Sequence, residues 1–367
     1  MRVLIIVPDK LSYGGAFRFL QRLLDIHRHR NIQSALLVAD EHLDEYIKNL
    51  SSQYKLQFYT PANSYKSNVI PALTPYYDFR FSWNTYKLWN PDLIIVSTAE
   101  PGRMTAAMFF PVPVVYFLHS MPEKHFCSIA KIYMCIGASL NNIVATVSKT
   151  AAYSLSNMMG VPKSRVKVVY NSCYSADMNV SKENEPVVLT LGHLVSYKNP
   201  DVWLMTAVRV IEKMPTVKFT WLGAGKLLHQ FRDRVKSLGL EGSIKFPGFV
   251  HNPVEWYQKA QVYFQPSLRE SHGIAVLEAM SHALPCVVSD IGGLPESVLM
   301  GETGYVCKPD DIDGFANSIL TLLKNSEMCR CMGIAGQKRL VVEFSPEVQE
   351  KKIMDIYCKL SNKMENL

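Results

Sequence analysis

No stretch of this chain approaches the roughly 20 uninterrupted apolar residues that a membrane-crossing helix requires. The most apolar piece, residues 108–118, is interrupted by Pro111 and Pro113. The eight cysteines, at positions 127, 135, 173, 286, 307, 329, 331 and 358, include no C-x-x-C pair. Their scatter argues against a zinc site or a disulfide framework and fits a reducing cytoplasm. Cys329 and Cys331 flank one residue, a spacing that turns them to different faces of a helix. There is no concentrated Lys/Arg tract with interleaved aromatics, so nucleic-acid binding is not expected. The opening run Met1–Pro8 is too short for a signal peptide and reads as a first strand. Low-complexity segments are lacking too.

What is present is a chain of 367 residues, 48% of them hydrophobic. That is too long for one ordinary core and suggests a soluble globular protein of two domains. Net charge is +7, unevenly spread: residues 1–184 hold 19 Lys/Arg against 12 Asp/Glu, and residues 185–367 hold 20 of each. A basic first half suits an anionic membrane surface or a phosphorylated acceptor, although plain soluble proteins also carry such an excess.

Short apolar runs alternate with amphipathic stretches along the whole length. Residues 3–7, 35–38, 56–59, 93–96, 114–117, 143–147 and 166–169 read as buried strands of a first parallel sheet. Residues 187–191, 217–222, 244–246, 262–265 and 286–289 read as strands of a second. Between them, the polar stretch 172–186 reads as a linker. The boundaries expected are therefore 1–171, 172–186 and 187–345, with a tail helix over about 346–367 packing back on a domain. Such sheets bind ligands beyond the carboxyl ends of their strands.

Those ends carry the candidate residues. Ser12-Tyr13-Gly14-Gly15 after the first strand is not a G-x-G-x-x-G fingerprint, which disfavours NAD. Gly14 and Gly15 either present amides to a phosphate or simply make a turn. His119 follows the strand at 114–117 and is either a donor to a sugar hydroxyl or a satisfied structural histidine. In the second half, Gly192-His193 leads to Lys198, a candidate phosphate clamp, and to Pro200 behind a capping-capable Asn199. Pro266–Met280 reads as strand end, loop and helix, with Glu270 on the loop and Glu278 inside the helix. Gly273, Ile274 and Ala275 put unpaired helix-start amides between the two carboxylates, a place for phosphate. Two solvated glutamates on a plain helix fit the same residues. Asp290–Glu296 reads as a turn. Asp310-Asp311-Ile312-Asp313 reads as a helix cap rather than a metal site.

These residues, in this order, resemble the GT-B nucleotide-sugar glycosyltransferases of family 4. Glu270 and Glu278, with seven residues between them, match the family's E-x(7)-E motif. Gly14-Gly15, Gly192 to Lys198, Leu222-Gly223-Ala224-Gly225 and Gly292-Gly293-Leu294-Pro295-Glu296 follow in family order. The resemblance implies an α/β fold of two doubly wound Rossmann-like domains facing a central cleft, the first binding the acceptor and the second the donor. It implies retaining transfer from a nucleoside diphosphate sugar, without metal or cofactor, in bacterial polysaccharide or glycolipid assembly. Glu270, His119 and Lys198 would be catalytic: Glu270 and His119 at the sugar, Lys198 at the leaving phosphate. Glu278 would hold the ribose, Phe249 and Val250 the base, and Gly15 with the amides of Gly273, Ile274 and Ala275 the sugar and diphosphate. The family often has arginine after the first glycine of the Gly192 loop. His193 stands there, without arginine's charge or planar fork, and Arg269 or Lys226 would have to compensate. His272 likewise stands where the family usually has an aromatic. The expected location is cytoplasmic, peripheral on the membrane, with Arg18, Arg22, Arg28 and Arg30 toward the lipid. The alternatives are a GT-B epimerase or hydrolase of nucleotide sugars, or a non-catalytic sugar-nucleotide-binding subunit.

Overall fold

The computed structural model describes residues 1–7, 15–38, 50, 53–54, 57–59, 74–99, 110–122, 142–176 and 186–364. The chain divides into two compact units, residues 1–171 with 349–367, and residues 172–348.

In the first unit, β1 (Arg2–Val7), β2 (Gln33–Val38), β3 (Gln57–Tyr59), β4 (Leu93–Thr98), β5 (Val114–Leu118), β6 (Ile143–Thr146) and β7 (Val166–Val168) form one sheet. Its order is β3-β2-β1-β4-β5-β6-β7, and every pairing is parallel. Parallel neighbours need crossover connections, here including α1 (Gly15–His29), α2 (Thr74–Trp89) and α3 (Lys149–Met159). The strands are unbroken apolar runs because both faces are covered. Val3, Ile5 and Val7 join one core cluster with Leu20, Leu23 and Leu24 of α1, and Leu4 and Ile6 join another with Leu155 and Met159 of α3. Helix α3 shows its boundaries in sequence: the Ser148 hydroxyl accepts from the Ala151 amide at 3.1 Å, and Gly160 ends it at φ 72°. The last helix, α11 (Pro346–Met364), lays Ile353, Ile356, Tyr357 and Leu360 into the core that β1 and α1 share. Each of these four contributes about 1.5–3 kcal/mol of apolar burial.

In the second unit, β8 (Val187–Leu191), β9 (Lys218–Leu222), β10 (Ile244–Gly248), β11 (Val262–Gln265), β12 (Cys286–Ser289) and β13 (Gly304–Cys307) pair in parallel in the order β10-β9-β8-β11-β12-β13. Helices α4 (Pro200–Lys213), α5 (Leu228–Ser237), α6 (Val254–Lys259), α7 (Ile274–Ser281), α8 (Leu294–Ser297), α9 (Ile312–Lys324) and α10 (Ser326–Glu343) surround this sheet. Buried Trp203 ties them together: its indole N–H donates to Thr190 Oγ1 at 2.6 Å, and Thr190 donates to the Phe264 carbonyl at 2.6 Å.

Several expectations are revised. Asn199 does not cap α4 with its side chain. Its backbone is left-handed, at φ 58°, and its amide reaches across to the Pro309 carbonyl at 2.8 Å. The run expected as a turn at 290–296 contains the start of α8. Asp311 does cap α9, accepting from the Gly314 amide at 2.8 Å. Cys329 is buried and Cys331 exposed, on different faces of α10. Part of the expected linker, residues 177–185, lies outside the described residues, as does Leu56. The preceding piece is tied down by Cys173 N–H to the Phe344 carbonyl at 3.1 Å and Ala176 N–H to the Ser281 carbonyl at 3.2 Å. Among the described residues no helix is long and apolar enough to cross a membrane.

Both sheets reverse strand order once, between β1 and β4 and between β8 and β11. In an open α/β sheet these switch points leave a crevice at the strands' carboxyl ends.

Candidate active site

The loops that follow β8 and β11 meet at the second unit's switch point. The β8 loop is pinned by Gly192 N–H to the Leu222 carbonyl at 2.9 Å and by the Trp221 indole to the Gly192 carbonyl at 2.9 Å. It then tightens into a 3-10 turn at Ser196–Lys198. The β11 loop joins it through Leu268 N–H to the Tyr197 carbonyl at 2.8 Å. This brings together two side chains 72 positions apart: Lys198 Nζ donates to Glu270 Oε2. The two side chains are 15% and 16% exposed, sheltered enough to strengthen the pair yet open to a ligand. Lys198 Nζ also lies 5.8 Å from the Tyr197 ring centroid.

The turn after the next strand, β12, fixes the Glu270 backbone. Gly292 is left-handed, at φ 58°, and a Cβ there would fall 1.7 Å from the Glu270 carbonyl oxygen. Only glycine permits this approach. Gly273, at φ 88°, is the N-cap of α7, with no side-chain cap. A Cβ there would meet Leu294 Cδ2 at 2.8 Å. Gly273 is buried, and Ile274 and Ala275 are half-exposed, at the positive end of the helix dipole.

Glu278, the second carboxylate, is 8% exposed. The Tyr257 hydroxyl donates to its Oε2 at 3.0 Å. Tyr257 in turn stacks on His282 at 5.0 Å, and His282 Nδ1 lies 2.9 Å from the Glu278 carbonyl. Burial, and then the Glu278 charge, hold the Tyr257 hydroxyl well above the usual phenol range, so it stays a donor.

His193 is exposed, and so are Lys226 and Arg269. Phe249 is exposed beside His251, their rings 4.9 Å apart, and Val250 is half-buried. Both follow β10, two strands from β8. His272 is buried edge-on against Phe344 at 5.3 Å, with Nε2 3.3 Å from Ser297 Oγ. It fills the aromatic position as a neutral ring, because burial lowers it to about 4.

In the first unit, His119 stands just beyond β5, with Nε2 2.9 Å from Ser97 Oγ at the end of β4 and its ring 4.8 Å from Phe19 of α1. Burial lowers it to about 4, so the ring is neutral near pH 7. Gly15 is the exposed first residue of α1, and Gly14 lies outside the described residues. Arg22 and Arg28 both reach Asp25, at 3.7 and 3.4 Å, and Arg30 pairs with Glu350 at 2.6 Å. Arg22, Arg28 and Arg30, all expected to face lipid, are thus engaged by acids.

Sequence reasoning missed two residues of the site, Tyr257 and Gln265. Gln265 Nε2 donates to Glu270 Oε2 at 2.8 Å, from the last position of β11. A buried polar residue closing an apolar strand was the available signal.

Residues 13–173 match the family model described as Glycosyltransferase Family 4, and residues 176–339 match Glycosyl transferases group 1. The chain is 26% identical over 239 residues to the N-acetyl-alpha-D-glucosaminyl L-malate synthase of Bacillus anthracis, covering 60% of this chain and 62% of that protein. It is 30% identical over 176 residues to the putative glycosyltransferase EpsD of Bacillus subtilis, covering 48% of this chain and 46% of that one. These matches span about half to three-fifths of each relative's length. The solved structure of Anabaena HepE with UDP and glucose superposes with a TM-score of 0.77, at 19% identity, over 97% of this chain and 99% of that one. The paired carboxylates, the lysine loop, the two-sheet architecture and both family matches agree: the chain belongs to the family 4 glycosyltransferases and has their GT-B fold.

Proposed function

We propose that this protein transfers a sugar from a nucleoside diphosphate sugar to an acceptor hydroxyl, with retention at the anomeric carbon. The observation that carries this reading is the Lys198–Glu270 pair at the switch point, beside the uncapped start of α7. A cation and helix-start amides suit a diphosphate, and a carboxylate beside them suits sugar hydroxyls. Glu278, steadied by Tyr257, takes the ribose hydroxyls, and Phe249 with Val250 lines the base. His119, neutral, donates to or accepts from a sugar hydroxyl, and His193 adds a donor near the diphosphate.

In the reaction, the bond from the anomeric carbon to the phosphate oxygen breaks as the bond to the acceptor oxygen forms on the same face. The acceptor proton passes to the departing phosphate. Lys198 and the amides of Gly273, Ile274 and Ala275 stabilise the charge that develops there, and the two loops hold the reacting atoms in line. Charge neutralisation by these groups makes the transfer independent of metal. The first unit receives a saccharide or lipid-linked acceptor at an anionic membrane surface, in bacterial polysaccharide or glycolipid assembly, while its Gly14 and Gly15 serve the donor phosphate. The relatives' names lend support: one is an N-acetyl-alpha-D-glucosaminyl L-malate synthase by name, and HepE was solved with UDP and glucose.

A turnover screen across UDP-, GDP- and ADP-sugars tests this reading. Release of nucleoside diphosphate from at least one donor, unaffected by EDTA and with an α-configured product from an α-configured donor, is expected. No release from any donor, or an inverted product, contradicts it.

A further inference from the structure

The polar contacts behind Glu270 extend further than transfer chemistry by itself demands. Tyr263 and Gln265 lie two apart on β11 and so share one face of the strand. The Tyr263 hydroxyl sits 2.8 Å from Gln265 Oε1 and 3.2 Å from the Leu191 carbonyl at the end of β8. Gln265 is 2% exposed, so its amide has no route to water. Its orientation follows from chemistry: a carboxylate only accepts, so Nε2 must face Glu270, and Oε1 must take the Tyr263 proton. Burial holds that hydroxyl well above the usual phenol range, which keeps the proton on it. A continuous relay therefore runs from the Tyr263 hydroxyl through Gln265 to Glu270.

Two donors share one atom at its end, because Glu270 Oε2 accepts from both Lys198 Nζ and Gln265 Nε2. We propose that Gln265 is a positioning residue, the fixed donor that holds the Glu270 carboxylate when Lys198 turns toward the diphosphate. This role rests on the proposed transfer reaction. Lys198 cannot serve as both the permanent anchor of Glu270 and the partner of the charge that develops on the leaving group. Glu270 stands on a loop, and without a second anchor it would turn as the lysine departs. Gln265 belongs to the strand and is neutral, so it fixes the carboxylate without competing for the phosphate. Through it, the switch-point strands set the position of the sugar-facing carboxylate.

The test pairs Gln265→Met, similar in length but without a donor, with Glu270→Ala in a double-mutant cycle. The substrate is whichever donor, UDP-, GDP- or ADP-sugar, the wild type turns over. Gln265→Met should lower kcat about 10- to 100-fold, the cost of a misplaced reacting group, while the dissociation constant of the corresponding nucleoside diphosphate and the melting temperature change little. In the Glu270→Ala background it should have no further effect on kcat, since the carboxylate it positions is gone. A glutamine that merely supports the fold would lower stability and diphosphate affinity together, and its losses would multiply with those of Glu270→Ala. That result, or a wild-type kcat in Gln265→Met, overturns the role. A wild type that turns over none of these donors contradicts the transfer reading itself and removes this role with it. Should Gln265→Met fail to fold, Tyr263→Phe leaves the amide in place but unanchored, and a smaller loss of kcat that vanishes in the Glu270→Ala background is expected. Losses that multiply there would overturn the role.

Discussion

The two units share an architecture but furnish their switch points differently. In the second, the ends of β8 and β11 carry a lysine–glutamate pair, a buried glutamine and a second, tyrosine-held glutamate. In the first, β4 and the residue after β5 contribute Ser97 and a neutral His119 against Phe19. One crevice holds opposed charges in a sheltered setting, and the other offers uncharged hydrogen-bonding groups. Under the proposed function, the same fold would serve an anion in one unit and a neutral hydroxyl-bearing group in the other. Burial accounts for the first unit's side of the contrast: a lone imidazole that loses water loses its charge.

The sharpest way to break the comparison is to remove the charge from the second unit. Lys198→Ala should lower kcat by about 10²–10³-fold, the scale of losing one donor to a developing anion. Steady-state turnover of the accepted donor measures this, and a loss no larger than that from a neutral change at His119 would erase the distinction between the crevices.

Next in size is the acid response of the buried neutral histidines, His27 and His119 in the first unit and His272 in the second. His27 lies between Ser34 and Tyr357, at 2.7 and 2.8 Å, and burial lowers it to about 3; burial lowers His272 to about 4. Both lie below the unfolded value, so as pH falls below 6.5 the unfolded chain binds protons that the folded chain refuses, and stability is lost. By pH 5 each costs about 2 kcal/mol. Melting curves at pH 7 and pH 5 should show His272→Phe losing less stability on acidification than the wild type, because one of the buried histidines that resist protonation is gone. An equal loss would count against the neutral, buried ring.

A smaller change is expected at Glu278, the carboxylate proposed to hold the ribose. Tyr257→Phe removes one hydrogen bond to Glu278 and should weaken nucleoside diphosphate binding about tenfold, read by calorimetry. Unchanged affinity would detach Glu278 from the nucleotide. The smallest effect should come from the first unit's basic surface. Flotation with anionic liposomes should retain the protein at low salt and release it at high salt. With Arg22, Arg28 and Arg30 already engaged by Asp25 and Glu350, retention should be weak. Its absence at low salt would remove the membrane reading.

Much of the fold could be read from the chain because parallel strands buried on both faces leave unbroken apolar runs. Val3–Val7 and Val114–Leu118 announce themselves in this way, punctuated by proline and glycine. By contrast, β13 is four residues long, with Tyr305, Val306 and Cys307 half-buried, and such a stretch carries little pattern. The carboxylates were legible by spacing, since Glu270 and Glu278 sit on one local element. Their supports were not. Lys198 meets Glu270 only through sheet topology, and Gln265 looked like one more residue of a short strand. The Asn199 expectation failed because a left-handed backbone turned its amide to Pro309, a contact 110 positions away that no local pattern encodes.

The most direct test of the central claim is a crystal structure with UDP bound. The account predicts the diphosphate at the start of α7, Lys198 Nζ moved from Glu270 Oε2 to a phosphate oxygen, the ribose on Glu278, and Glu270 still held by Gln265. UDP bound elsewhere, or seated there with Lys198 still on Glu270 and no phosphate contact, would contradict it.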